Sequence, residues 1–365
     1  MWNFYNPVAI HAGLDSLVHL PQVLQGRRAL LITFKEAEQI GLTARVRALL
    51  GDQLVAIESD VLPNPDVRWL ATMYERIWSA HPDVECLLAL GGGSVIDCAK
   101  AILTKTASGG FAEIAAHLRD GVALSGVDAK RLIAIPTTAG TGSEVTPWAT
   151  IWDTDANKKY SLHQDWTWPE VAIIDPGLML SLPPAVTLAS GLDALSHALE
   201  SIWNIHRNPV SMSLAASAAH SIIKTLPLLM KEPQQLHLRE LMATAALQAG
   251  LAFSNTKTAL AHALSYDITL HHGVAHGIAC SFSLPHVMRL AFAYDPEVDA
   301  CLLNIFEVNN ATDAIIALTT FLENLEVSTN PNAYGIKESW DSMVGDALLG
   351  ARGRNFISNR VARTA

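Results

Sequence analysis

Cysteine is scarce: Cys86, Cys98, Cys280 and Cys301 are the four in 365 residues, with no Cys-x-x-Cys pair. That excludes a disulfide framework and fits a reducing cytoplasm. Cys98, just inside a glycine turn, reads as a small packing residue. Basic charge is also short, 25 Lys+Arg against 35 Asp+Glu, and the formal charge of −10 argues against non-specific nucleic-acid binding. No run of about 18 uncharged apolar residues is present, so no membrane span is expected. The opening Met1-Trp-Asn-Phe-Tyr-Asn-Pro lacks the basic stretch and apolar core of a secretory signal, so a cytoplasmic location is expected. Internal repeats and low-complexity tracts are absent.

What is present is apolar bulk. About half of the residues are hydrophobic, enough for two domains with large cores. Up to about residue 180, short apolar runs alternate with helical stretches. Ala29 to Thr33, Leu54 to Ile57, Cys86 to Leu90, Leu132 to Ile135 and Val171 to Ile174 read as strands. Helical sequence between them, such as Asp66 to His81, implies parallel βαβ units. Beyond Pro183-Pro184 the strand signal fades into Ala/Leu-rich helices such as Pro209 to Lys231 and Leu236 to Ala252. Asp175-Pro-Gly and Leu182-Pro-Pro punctuate the change. The expected architecture is an α/β dinucleotide-binding domain with a parallel sheet over 1–181, followed by an all-α domain over 182–365.

Two segments of the first half suit an anionic cofactor. In Glu85-Cys-Leu-Leu-Ala-Leu-Gly-Gly-Gly-Ser-Val-Ile-Asp-Cys-Ala-Lys100 a buried strand runs through three glycines into a helix. Glycine lets a phosphate approach the backbone, and the unpaired N–H groups and dipole of a helix N-terminus favour it. The third glycine of G-x-G-x-x-G is missing, so this is not the Rossmann fingerprint. Taken alone, such a turn is more often a tight connection. The strand Arg131-Leu-Ile-Ala-Ile-Pro136 ends in Thr137-Thr-Ala-Gly-Thr-Gly-Ser-Glu-Val-Thr146, which puts hydroxyls and backbone donors at a strand end, where open α/β sheets bind ligands. A flexible polar loop is the bland alternative.

The second half carries a metal-like donor set. Asp193 and His197, in Gly191-Leu-Asp-Ala-Leu-Ser-His-Ala-Leu-Glu200, stand at i and i+4 on one helix face. His262 and His276 lie downstream in helix-like sequence. One carboxylate and three imidazoles suit Fe²⁺, Zn²⁺ or another divalent metal, acting as a Lewis acid on a substrate oxygen. Any one of 14 histidines is more often a structural residue, so the argument rests on the two halves together. With cofactor features N-terminal and metal features C-terminal, reaction is expected in a cleft between domains.

Together the motifs resemble the iron-containing (group III) alcohol dehydrogenase family. The resemblance rests on Pro63-Asn-Pro65, Gly91-Gly-Gly-Ser-x-x-Asp-x-x-Lys100, Pro136 to Thr146, Lys159, Leu182-Pro-Pro184, Gly191-x-Asp-Ala-x-x-His-Ala-x-Glu200, His262-Ala, His276-Gly and Leu284-Pro-His-Val-Met288. It implies an NAD(P)-dependent oxidoreductase of the CH–OH group acting on a small alcohol or aldehyde. It implies Asp193, His197, His262 and His276 as ligands of the catalytic metal. It assigns to the cofactor Asn64, Gly92, Gly93, Ser94, Asp97, Thr137, Thr138, Thr141 and Lys159. Homodimerisation is a family-based expectation, with Asn3 to Ile10 read as an edge strand able to pair with a second subunit.

This chain departs from the family in three places. Many members carry a histidine where Tyr266 stands, so Tyr266, His271 or His272 would serve any proton relay. NAD-selective members place Asp where Phe34 stands, and Lys35 follows, which favours NADPH. A basic stretch from Arg352 to Arg360 closes the chain and could meet an anionic substrate. The opening residues, Asn255-Thr-Lys-Thr258 and Ala263-Leu-Ser-Tyr266, look like the phosphonate-associated branch, similar to phosphonoacetaldehyde reductases that form 2-hydroxyethylphosphonate. Lys257 and Arg207 are then the candidate cations for the phosphonate. A short-chain alcohol, diol or lactaldehyde is the alternative substrate. A metal-free reductase, a glycerol dehydrogenase-like zinc enzyme and a non-catalytic cofactor-binding scaffold each fit the donor set and intact cofactor segments less well.

Overall fold

The computed structural model describes residues 1–124 and 127–359, so Arg360 of the basic stretch lies outside the described residues. The chain forms two compact units. One holds Pro7–Thr138 and Ser143–Leu182; the other holds Met1–Asn6, Ala139–Gly142 and the chain from Pro183 onward.

The first unit contains strands β1 (Ala9–Ala12), β2 (Ala29–Thr33), β3 (Leu54–Glu58), β4 (Cys86–Gly91), β5 (Thr104–Lys105), β6 (Asp128–Ala129), β7 (Arg131–Pro136), β8 (Trp148–Asp153), β9 (Lys158–His163) and β10 (Val171–Ile174). Its helices are α1 (Leu20–Leu24), α2 (Leu42–Leu50), α3 (Val67–Ala80), α4 (Gly93–Ile102) and α5 (Ala112–Asp120). Six strands make one all-parallel sheet in the order β1-β10-β7-β4-β2-β3. The five strands expected between Ala29 and Ile174 are present, and the parallel α/β expectation is met. Helices cover both faces, so β2, β4 and β10 are buried at every residue and read as continuous apolar runs. Alternation sorts the side chains: Leu30, Ile32, Leu87, Ala89, Leu132 and Ala134 pack with α3 and α4. Leu31, Leu88, Leu90, Ile133 and Ile173 pack with α1 and α2. β2, β4 and β7 are neighbours, so Phe34, the Gly91 to Ser94 turn and Thr137-Thr138 share one carboxyl edge of the sheet.

The second unit contains α6 (Pro184–Ile202), α7 (Pro209–Lys231), α8 (Leu236–Thr256), α9 (Leu260–His272), α10 (His276–Ser281), α11 (Leu284–Ala291), α12 (Pro296–Phe306), α13 (Ala311–Asn324) and α14 (Trp340–Leu349). From Gly191 to Ile202 every residue of α6 is buried, the polar Asp193, His197 and Glu200 among them, so α6 is a central helix packed on all sides. Asn208 and Ser211 form a capping box that starts α7, with Pro209 at its first position. Among the described residues no single helix is long and apolar enough to cross a membrane, although α12 and α13, bent by 47°, pass that test as a pair.

One expectation is corrected. Asn3 to Asn6 are not an edge strand; the strand begins at Ala9, pairs with Val171 of β10 and forms the sheet edge. Side chains of the helical unit hold the preceding residues instead. Asn255 accepts the Tyr5 N–H at 2.8 Å and donates to the Tyr5 carbonyl, while Asn208 donates to the Asn3 carbonyl. Those amides satisfy backbone groups that a strand partner would otherwise take.

Candidate metal centre and cofactor turn

Asp193 and His197 lie one turn apart on α6, as their spacing requires, with His197 Nε2 3.9 Å from Asp193 Oδ1. Nε2 of His262, on α9, is 3.4 Å from the same oxygen, and Nε2 of His276, at the start of α10, is 3.9 Å from it. The structure thus gathers all four residues around one carboxylate oxygen. Asp193, His197 and His262 are buried. The His197 ring is sandwiched between Phe253 at 4.0 Å and His262 at 4.6 Å.

Two features fix this arrangement. A Cβ on Gly277 would sit 1.8 Å from the Ala189 carbonyl oxygen, so only glycine lets α10 rest on the α6 backbone and present His276. Glu200, fully buried on α6, accepts the N–H groups of Ala259, Ala261 and His262 at the start of α9. Its Oε2 lies 2.7 Å from His262 Nδ1, so Nδ1 holds its proton toward Glu200 and Nε2 is the nitrogen that faces Asp193.

The donors fit a cation. Asp193 Oδ1 and His262 Nε2 are buried without a hydrogen-bond partner, a costly state that a bound ion relieves. Burial would raise the Asp193 carboxyl, but the surrounding imidazoles outweigh it and hold it well below the usual carboxylate range. Burial lowers His197 to about 4 against the opposing pull of Asp193, leaving a neutral imidazole near pH 7. A further donor joins them. Cys280, buried one turn after His276 on α10, has its Sγ 3.6 Å from His276 Nε2, and the donor atoms of Asp193, His262, His276 and Cys280 lie within 4.8 Å of one another.

The glycine turn occupies the first unit. Gly92 is the N-cap of α4, and a Cβ there would meet the Thr138 side chain at 3.2 Å. A Cβ on Gly91 would clash with Val95 at 2.5 Å. Thr137 N–H donates to the Gly91 carbonyl, and Asn64, left-handed at φ 58°, directs its N–H to Ser94 Oγ at 3.2 Å. Asn64, Gly92, Gly93, Ser94, Thr137 and Thr138 therefore cluster at one sheet edge, whereas Thr141 belongs to the helical unit. Both Asp97 oxygens are engaged, by Ser143 Oγ at 2.6 Å and Thr150 N–H at 2.8 Å. Ser143 in turn accepts from the buried Lys100 ammonium, so Asp97 braces the turn through this network. Lys159 lies over the Trp152 ring, 5.2 Å from its centroid. Phe34 is half-buried against the cores on both sheet faces, and Lys35 beside it is exposed. Cys98 packs in the core, 3.6 Å from Met73 Sδ.

The family model for iron-containing alcohol dehydrogenase matches residues 7–176, and that for the C-terminal part of the Fe-containing alcohol dehydrogenase family matches 187–358. The chain belongs to the iron-containing alcohol dehydrogenase family. A 1,3-propanediol dehydrogenase from Klebsiella pneumoniae is 31% identical over 92% of this chain and 88% of its own length. The 1-propanol dehydrogenase of Citrobacter freundii is 33% identical over 76% of this chain and 72% of its own. Among solved structures, sulfoacetaldehyde reductase from Bifidobacterium kashiwanohense in complex with NAD+ superposes with a TM-score of 0.89 at 29% identity, covering 98% of this chain and 94% of that one.

In this iron-containing alcohol dehydrogenase the cations near the centre differ from those expected. Lys257 ends α8 in a left-handed conformation, φ 65°, with its side chain exposed. The Arg207 side chain is only 6% exposed and is ion-paired and hydrogen-bonded to Asp295, so its charge is already committed. Arg352 was legible only as part of a basic run, yet its guanidinium lies over the Tyr266 ring, 4.4 Å from the centroid. Tyr266 stacks parallel to His276, with centroids 6.2 Å apart. Among the described residues no carboxylate forms an ion pair with Arg352. Burial raises the Tyr266 hydroxyl's pKa, opposed by Arg352. His271 is exposed near the end of α9, its Nδ1 3.1 Å from the Asp267 carbonyl, and His272 closes that helix.

Proposed function

We propose that this enzyme is a metal-dependent NAD(P)-linked aldehyde reductase and alcohol dehydrogenase whose substrate is a two-carbon aldehyde with an anionic tail, phosphonoacetaldehyde, reduced to 2-hydroxyethylphosphonate. The observation that carries the reading is the convergence of three imidazoles on one buried, unsatisfied Asp193 oxygen. Asp193, His197, His262 and His276 would hold a divalent ion, whose chemistry would be Lewis acidity toward a substrate oxygen, and the chain would bind a nicotinamide cofactor, whose chemistry would be hydride transfer. The remaining work belongs to side chains and backbone. Glu200 fixes the His262 tautomer, and the Gly92 to Ser94 N–H groups receive the pyrophosphate. Tyr266 Oη holds the proton that the product oxygen takes, and the Arg352 cation over its ring steadies the phenolate left behind.

Arg352 is also the cation for the anionic tail, in place of Lys257 and Arg207. The name sulfoacetaldehyde reductase describes a relative acting on acetaldehyde bearing a sulfonate, an oxyanion of the same tetrahedral shape as a phosphonate. The names of the propanol and propanediol dehydrogenases favour a second reading, a neutral short-chain alcohol. Phe34 leaves no carboxylate at the end of β2 to repel a 2′-phosphate, so NADPH is accepted alongside NADH.

The test is NADH and NADPH oxidation by metal-stripped and Fe²⁺-restored protein with phosphonoacetaldehyde, sulfoacetaldehyde and propionaldehyde. Metal-dependent turnover favouring the anionic aldehydes supports the reading. Equal or better use of propionaldehyde removes the anionic tail from it. Turnover with none, despite cofactor binding, contradicts it.

A further inference from the structure

Cys280 is buried beside the metal centre, and the role of the four histidine and aspartate residues leaves it unused. We propose that the Cys280 thiolate is itself a ligand of the divalent ion, so that the centre is a mixed carboxylate, imidazole and thiolate site with a preference for softer ions. This rests on the metal reading above.

The distances carry it. For a tetrahedral ion with metal–nitrogen bonds of about 2.0–2.1 Å and a metal–sulfur bond of about 2.3 Å, adjacent nitrogen and sulfur ligands stand about 3.6 Å apart, and adjacent oxygen and nitrogen ligands about 3.4 Å. Cys280 Sγ is 3.6 Å from His276 Nε2 and 3.7 Å from its Nδ1, and Asp193 Oδ1 is 3.4 Å from His262 Nε2. These four donors lie within 4.8 Å of one another. Two of them, Asp193 Oδ1 and His262 Nε2, are buried with no hydrogen-bond partner and face the same point. The pair His276 and Cys280 repeats on α10 the i, i+4 spacing of Asp193 and His197 on α6, so each helix offers two donors from one face. His197, with Nε2 3.9 Å from Asp193 Oδ1 and its ring stacked on that of His262, is a further donor beyond these four.

Chemistry gives the consequence. On coordination the thiol loses its proton to solvent, and a thiolate beside one carboxylate balances the charge of the divalent ion. Sulfur favours Zn²⁺ and Co²⁺, whereas an all-nitrogen and oxygen set is more hospitable to Fe²⁺.

The experiment loads the metal-stripped full chain with Co²⁺ and records its absorption spectrum for wild type and Cys280→Ser. The expected result is visible d–d bands in both proteins and a near-ultraviolet thiolate-to-cobalt charge-transfer band in wild type alone. Visible bands without the charge-transfer band in wild type overturn the thiolate ligand and leave the metal site standing. Absence of both from folded wild-type protein overturns the metal reading as well. Should Cys280→Ser fail to fold, X-ray absorption of Zn²⁺-loaded wild type decides: a sulfur neighbour at about 2.3 Å supports the ligand, and a shell of nitrogen and oxygen alone overturns it.

Discussion

Glu200 Oε2 and His262 Nδ1 are 2.7 Å apart, and the same carboxylate receives three backbone N–H groups at the start of α9. One buried side chain thus caps a helix and orients a candidate metal ligand on it, coupling the fold of α9 to the electronics of the centre.

Replacing Glu200 by Gln puts an amide N–H₂ among those N–H donors and weakens its hold on the imidazole. Metal affinity is expected to fall roughly 10- to 100-fold, read by competition with a fluorescent chelator, while far-UV circular dichroism stays near wild type. Unchanged affinity would remove Glu200 from the site's design.

The contact of Gly277 with the Ala189 carbonyl makes a backbone prediction. Gly277→Ala forces a Cβ to within 1.8 Å of that oxygen unless α10 moves. A stability loss of about 1–3 kcal/mol is expected from overpacking, together with substoichiometric metal because His276 moves away from Asp193. Calorimetry and metal analysis check it; a variant with native melting temperature and full metal content refutes the claim that this contact sets the centre.

Arg352 separates the two substrate readings. Arg352→Ala should raise KM for phosphonoacetaldehyde roughly 10- to 100-fold, the loss of a charge-assisted contact, and leave KM for propionaldehyde nearly unchanged. Parallel losses on both aldehydes would show Arg352 acting only through Tyr266.

Glu144 gives a pH signature for the cofactor unit. It is buried, and burial raises its carboxyl to about 7 against the pull of its own backbone N–H and of Lys100. Because the folded value exceeds the ordinary 4.5, the folded state binds more protons across that window. Stability from this group is therefore complete below pH 4.5 and is lost as pH rises to 7. Glu144→Gln should abolish that slope and stabilise the protein at pH 8 by on the order of 2–3 kcal/mol. Melting temperatures measured from pH 4.5 to 8 decide; parallel curves for the two proteins contradict the assignment.

The sequence displays what depends on local pattern. Val171 to Ile174 reads as a strand because every residue is apolar, and α7 is bounded by Pro209 and Lys231 as its composition suggests. Asp193 and His197 declare themselves by spacing. Glu200 stands in the same motif, but its partner is 62 residues away and no periodicity reveals that contact. Cys280 stands at i, i+4 from His276, but a single cysteine among four scattered ones carries no spacing signal of its own. Lys257 is close in sequence to His262, but it stands just past the end of α8 with its side chain exposed. Arg352 reaches Tyr266 because tertiary hydrogen bonds, Asn355 to the Thr258 carbonyl and Ile357 to the Trp203 carbonyl, anchor the segment that follows it. The β8–β9 hairpin leaves little trace in the sequence because it stands outside the parallel sheet, paired along its length only strand to strand.

The most direct measurement compares metal content with turnover in wild type and Asp193→Ala, each stripped and then restored with Fe²⁺. The account predicts one ion per chain and NADH-dependent aldehyde reduction in restored wild type, with both lost in stripped wild type and in the variant under either condition. Full turnover by the stripped wild-type enzyme, or by an Asp193→Ala protein that holds no metal, would contradict it.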